Sequence, residues 1–171
     1  MKKSLKKACS VALVMIIMLA ACPFSTIANA LVLSPLSYEI NNNEVTITNC
    51  DETASGVLTI PTAIDGYKVT TIKDYAFNAC KKITEIVVPD GVTTIGSYAF
   101  SWCDGLTKVT LPNSITSLGV GAFIGCSVLK KVSLPMSITN LSDTIFSDCT
   151  SLTSVALPTG ITAIGQRAFD R

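Results

Sequence analysis

The 171-residue chain contains no histidine. That absence excludes Ser/His and Cys/His nucleophilic pairs, His-ligated zinc and the commonest general base at neutral pH. Charge is scarce as well, with 15% of residues charged against 49% apolar. The net charge of +1 is unevenly spread, because Lys2, Lys3, Lys6 and Lys7 fall in the first thirty residues with no acid among them. Residues 31–171 then hold nine basic and twelve acidic side chains, about −3. Such a surface lacks the clustered Lys/Arg that phosphates require, so nucleic acid is not an expected partner. Long apolar runs are missing too. The run 11–21 has 11 residues, against the roughly 20 that a spanning helix needs, so no membrane span is expected in the mature chain. Acids such as Asp90, Asp104 and Asp148 show no paired spacing, and there is no phosphate-cradling glycine loop or nucleophile elbow. The chain is therefore expected to be non-enzymatic, with no cofactor and no metal.

What is present begins with an export signal. The four lysines form a basic n-region, 11–21 is the apolar core, Pro23 breaks the helix, and Ala28-Asn29-Ala30 supplies a small-x-small cleavage pattern. Residues 1–30 read as a signal peptide, with the mature chain starting at Leu31 and secreted or held at the cell surface. The same segment has a second reading. Leu19-Ala20-Ala21-Cys22 resembles a lipobox, in which Cys22 would be acylated, although residues 23–30 do not form a polar tether.

The strongest signal is internal repetition. Residues 69–91, 92–114, 115–137 and 138–160 are four gapless units of 23 residues, and 161–171 begins a fifth. Position 4 reads Ile72, Ile95, Leu118, Leu141, Ile164, and position 9 reads Phe77, Phe100, Phe123, Phe146, Phe169. Position 12 is Cys80, Cys103, Cys126, Cys149, and position 15 is Ile83, Leu106, Leu129, Leu152. Positions 18 and 20 are apolar, and a proline follows each pair: Pro89, Pro112, Pro135, Pro158. A unit this short cannot enclose a core alone, so its inward side chains stack on the same side chains of the next unit. Alternation at positions 18 and 20 predicts a short strand that the proline ends, and positions 2–4 predict a second extended piece. Ala99, Phe100 and Cys103 share a side at helical spacing, which predicts a short helical turn. Parallel strands joined in this way should wind right-handed.

Leu106-x-x-Val109-x-Leu111-Pro112 resembles the core of leucine-rich repeats. The full unit, Ile-Gly-x-x-Ala-Phe-x-x-Cys-x-x-Leu-x-x-Val-x-Leu-Pro, resembles the BspA-like leucine-rich repeat family of bacterial surface proteins. The resemblance implies a right-handed leucine-rich repeat solenoid of the α/β repeat kind, with a short parallel strand and a short helical turn in each coil. It also implies an adhesion or protein-interaction module at the cell surface that engages a host or bacterial protein. A structural spacer within a larger surface protein remains the alternative. Three positions depart from the pattern: Ile145 replaces Ala at position 8, and Lys73 and Ser142 replace Gly at position 5.

Residues 31–68 read as an N-terminal cap followed by a divergent first coil. Val45 and Ile47 alternate, and Asn41-Asn42-Asn43 suits a hairpin turn. The chain stops after Phe169 without a polar cap, which raises the expectation of a fragment or of self-association through the last coil. Cys50, Cys80, Cys103, Cys126 and Cys149 are expected as a buried row of thiols, since sulfurs about 4.8 Å apart in a line cannot converge on one zinc ion.

Two surfaces remain as candidate binding sites. Glu85, Lys108, Thr110, Lys131 and Ser133 lie outward on the strand face, where repeat proteins often bind partners, and are also ordinary solvated β-surface types. Tyr75, Tyr98 and Trp102 are local to two coils; they are either interface anchors or covers for a gap against the cap.

Overall fold

The computed structural model describes residues 36–171; the signal peptide expected in residues 1–30 and the alternative acylation at Cys22 fall outside the described residues. The chain begins with a hairpin of β1 (Leu36–Asn41) and β2 (Glu44–Cys50), turned by Asn42 and Asn43 at φ 52° and 63°. Asparagine tolerates this left-handed region better than most residues, which explains its use here. After β3 (Ser55–Thr59), a second hairpin joins β4 (Ala63–Ile64) to β5 (Tyr67–Ile72) through Asp65 and Gly66.

From β5 onward each coil contributes one strand to each of two faces. One face holds β6 (Lys82–Val87), β8 (Lys108–Thr110), β10 (Lys131–Ser133) and β12 (Ser154–Ala156), in the spatial order β12-β10-β8-β6-β3. The other holds β7 (Thr94–Ile95), β9 (Ser117–Leu118), β11 (Asn140–Leu141) and β13 (Ala163–Ile164). Its order is β1-β2-β5-β7-β9, with β11-β13 as a separate pair. All pairs between coils are parallel. This is the leucine-rich repeat solenoid expected from the period.

The interior is built from the predicted rows. Phe77, Phe100, Phe123 and Phe146 are buried and stack face to face, with centroids 5.0, 5.3 and 5.7 Å apart. Phe169 continues the row at 5.6 Å and is 41% exposed. Ile83, Leu106, Leu129 and Leu152 form a second buried row, and Ala76, Ala99 and Ala122 a third. Threonine at position 2 binds the coils at the surface. The amide and hydroxyl of Thr93, Thr116 and Thr162 both donate to the carbonyl of the preceding coil's threonine.

One expectation is corrected. Among the described residues there is no helix, so the short helical turn predicted in each coil is absent. The segment is a run of tight turns, with Ala76, Asn78 and Cys80 N–H donating three residues back. Positions 7 and 11 sit at positive φ: Tyr75, Tyr98, Gly121, Thr144 and Arg167 in one column, Ala79, Trp102, Gly125 and Asp148 in the other. A left-handed residue at every fourth position breaks a right-handed helix. It also turns the amides of positions 7, 9 and 11 outward along the solenoid. Tyr98, Phe100 and Trp102 N–H thus donate to Val120, Ala122 and Ile124 carbonyls of the next coil, at 2.8–2.9 Å. The turn edge becomes a third intercoil ladder.

Candidate functional site

On the strand face the outward side chains stand in register. Glu85 lies beside Lys108, whose Nζ reaches its Oε1 at 2.5 Å. Lys131 lies beside Lys108 on the other side, and Val87 beside Thr110. Lys108, Thr110, Lys131 and Ser133 are exposed and Glu85 is half-buried. Between them the inward Ile86, Val109 and Val132 enter the core. The alternation of the pleat therefore presents a polar strip backed by a rigid apolar layer. Val57 of β3 extends this strip beside Glu85 and is 53% exposed. Sequence reasoning missed it because the divergent first coil falls outside the 23-residue alignment.

The aromatic trio lies elsewhere, on the turn edge. Tyr75 and Tyr98 rings stack at 5.1 Å with 13° between their planes. Tyr98 covers Gly121, where a Cβ would come within 2.6 Å of its ring, and Trp102 covers Gly125, where the figure is 2.4 Å. The rings of Tyr98 and Trp102 thus lean on the following coil. The signal was present in the sequence: the glycines that receive the rings stand 23 residues after them. With the Tyr faces turned to each other and to Gly121, the trio offers ring edges and the partly open Trp102, not a flat platform.

The five cysteines of the described residues are free and buried. Cys103, Cys126 and Cys149 Sγ each donate to the carbonyl of the preceding coil's phenylalanine (Phe77, Phe100, Phe123) at 3.1 Å. A thiol suits this position because it is small, apolar and a weak donor. Burial, with a contribution from neighbouring Cys80, pushes the Cys103 thiol up to about 12. A hydrogen bond with Cys149, together with burial, holds Cys126 well above its ordinary value. The same bond holds Cys149 below its ordinary value, and a bond with Cys50 does so for Cys80. Cys103 and Cys126, protonated and enclosed, are poor nucleophiles and poor metal ligands.

Below Phe169 a cavity of about 310 Å³ opens between Phe146, Leu152, Val155 and Leu157. Thr153, Ser154 and Arg171 also line it, and Arg171 Nη2 donates to the Leu152 carbonyl at 2.7 Å.

Comparison with known proteins agrees with this architecture. Residues 68–171 match the family described as BspA type leucine rich repeat region, in six copies. A leucine rich cell surface protein from Faecalibacterium prausnitzii is 32% identical over 79% of this chain and 44% of its own, with a TM-score of 0.59. A leucine-rich repeat protein from Bacteroides capillosus is 26% identical over 77% of this chain and 94% of its own, with a TM-score of 0.55. One from Eubacterium ventriosum, 22% identical with a TM-score of 0.55, shares the fold; this chain spans 47% of its length. A search of curated proteins gives no match. Taken with the stacked 23-residue coils, the family match over most of the chain shows that it belongs to the BspA-type leucine-rich repeat family.

Proposed function

We propose that this chain is an exported, non-catalytic module that binds protein at the cell surface through its strand face. The observation that carries the reading is the outward line of Glu85, Lys108 and Lys131, in register across three strands, with Thr110 and Ser133 exposed beside it and buried neighbours behind. The outward set is polar and carries three charges of mixed sign, which suits a hydrated protein surface and a partner of mixed charge. The export signal read in residues 1–30, and the cell-surface description of the Faecalibacterium relative, support the location.

The test compares the chain with a Lys108→Glu/Lys131→Glu/Thr110→Lys variant for binding to arrayed extracellular-matrix and cell-surface proteins. Binding that the variant loses at least tenfold, with unchanged thermal stability, is the expected result. Equal binding by both refutes the strand-face assignment and places binding on another surface; binding by neither leaves the spacer role. Intact mass of the exported protein decides between a start at Leu31 and an acylated Cys22.

A further inference from the structure

The coils are not equally bound to one another. Four backbone hydrogen bonds recur between successive coils. The position-5 amide donates to the position-4 carbonyl at 2.8 Å in Gly96→Ile72, Gly119→Ile95 and Gly165→Leu141. The position-2 amide donates at 2.7–2.9 Å in Thr93→Thr70, Thr116→Thr93 and Thr162→Thr139. The position-16 amide does so in Thr107→Thr84 and Thr153→Lys130, and the position-20 amide in Val88→Thr110 and Leu134→Ala156. Between residues 107–129 and 130–152 all four are missing: Ser142→Leu118, Thr139→Thr116, Lys130→Thr107 and Leu111→Ser133 do not form. At the same level β9 and β11 are unpaired, and β10 meets β8 only at Lys131 and Lys108.

The sequence of the fourth coil accounts for the break. At Gly96, Gly119 and Gly165 an added Cβ would fall 2.3–2.5 Å from the preceding coil at position 6, so between repeats a side chain at position 5 crowds the coil before it; Lys73, which carries one, follows β2 rather than a repeat and still donates to the Ile47 carbonyl at 2.9 Å. Ser142 carries one, and its hydroxyl, at 2.5 Å from the Leu118 carbonyl, stands where the amide would have been. Ile145 occupies the position of Ala76, Ala99 and Ala122 and adds bulk in the same layer. Lys131 faces Lys108, and like charges directly opposite repel. The backbone bonds that remain lie mostly at the turn edge, where Gly121, Phe123 and Gly125 N–H donate to Asp143, Ile145 and Ser147 carbonyls, with Ser151 N–H donating to Ser127 beside them; the other links are made by side chains, among them Ser137 to Ile115, Cys149 to Phe123 and Thr150 to Ser127.

We infer that this interface is a built-in parting line at which residues 130–171 open from the rest of the solenoid as a unit. The inference stands on intercoil bonding and is independent of the binding role. It divides the strand face between Thr110 and Ser133, so opening separates Lys131 and Ser133 from Glu85, Lys108 and Thr110.

Residue-resolved hydrogen exchange on the full chain tests it, using three sets of turn-edge amides that are equally well bonded in the closed fold. Tyr98, Phe100 and Trp102 cross the interface before the parting line; Gly121, Phe123 and Gly125 cross it; Thr144, Phe146 and Asp148 cross the one after. The expected pattern is a step: the middle set exchanges at least tenfold faster than the first and no slower than the last. Ser142→Gly combined with Lys131→Glu is expected to restore the missing bonds and bring the middle set within threefold of the first. A smooth decline in protection towards Arg171 with no step, or a step that the double variant leaves in place, would overturn the proposal.

Discussion

Replacing Gly125 with alanine tests the turn edge most directly, because two separate penalties meet there. Gly125 has φ +72°, and a Cβ on it would lie 2.4 Å from Trp102 Cε3. A left-handed alanine costs about 1–2 kcal/mol, offset by a few tenths from the less flexible unfolded chain. Trp102 is 49% exposed, so roughly 100 Å² of a ring-sized surface rests on the protein. Displacing it forfeits up to about 2.5 kcal/mol at 25 cal/mol per Å². The expected loss is about 3 kcal/mol. Two controls separate the penalties. Gly66 has φ +82° with open space around it, so Gly66→Ala carries the backbone cost alone, about 1 kcal/mol. Gly160 has neither positive φ nor a neighbour within 4 Å, so Gly160→Ala is expected to be neutral or slightly stabilising. The assay is urea unfolding followed by circular dichroism and by emission of Trp102, the one tryptophan of the chain. Gly125→Ala should also shift native emission to the red. The reasoning fails if Gly125→Ala matches Gly66→Ala in midpoint and leaves the emission maximum where it was.

Other predictions follow the same physics. Thr144 combines a β-branched side chain at φ 52° with a buried hydroxyl that has no hydrogen-bond partner among the described residues. Thr144→Gly is therefore expected to stabilise by about 1 kcal/mol, read as a raised melting temperature, since relief of about 2 kcal/mol of strain exceeds the glycine entropy cost. Phe100→Ala removes the ring shared by two stacks and should cost about 3–5 kcal/mol in urea titrations. Stability should also fall at alkaline pH. The Cys103 thiol ionises near its ordinary 9.0 when unfolded and near 12 when folded, so its contribution is whole below pH 9 and is lost as pH rises to 12. At pH 10 the loss from this thiol is about 1.4 kcal/mol, and Cys103→Ala should flatten the profile between pH 9 and 12.

Much of the fold was legible because each inward position repeats every 23 residues, and burial at those positions leaves little choice of residue. Phe100, Cys103 and Leu106 could be placed in the core without coordinates for that reason. The turn edge was misread because Ala99, Phe100 and Cys103 have spacings that a helix and a run of tight turns both satisfy. What separates the two is the sign of φ at Tyr98 and Trp102, and neither residue type advertises a left-handed backbone. Gly121 and Gly125, in the same columns, do. The candidate strand face could be drawn from alternation alone, but Val57 could not, and neither could the loss of pairing beyond the Lys108–Lys131 bridge. Ser142 was visible as a departure from the repeat; its effect needed the distance at which neighbouring glycines pass the coil below.

Nearly every bond between coils joins a residue to one 22, 23 or 24 places away. The chain's length is consequently quantised. Removing residues 92–114 as a block hands each surviving group a partner of the same kind, whereas removing one residue fewer throws every row behind the cut out of phase. A gene for such a chain can grow or shrink by unequal recombination in whole units, and inherits a working interior each time.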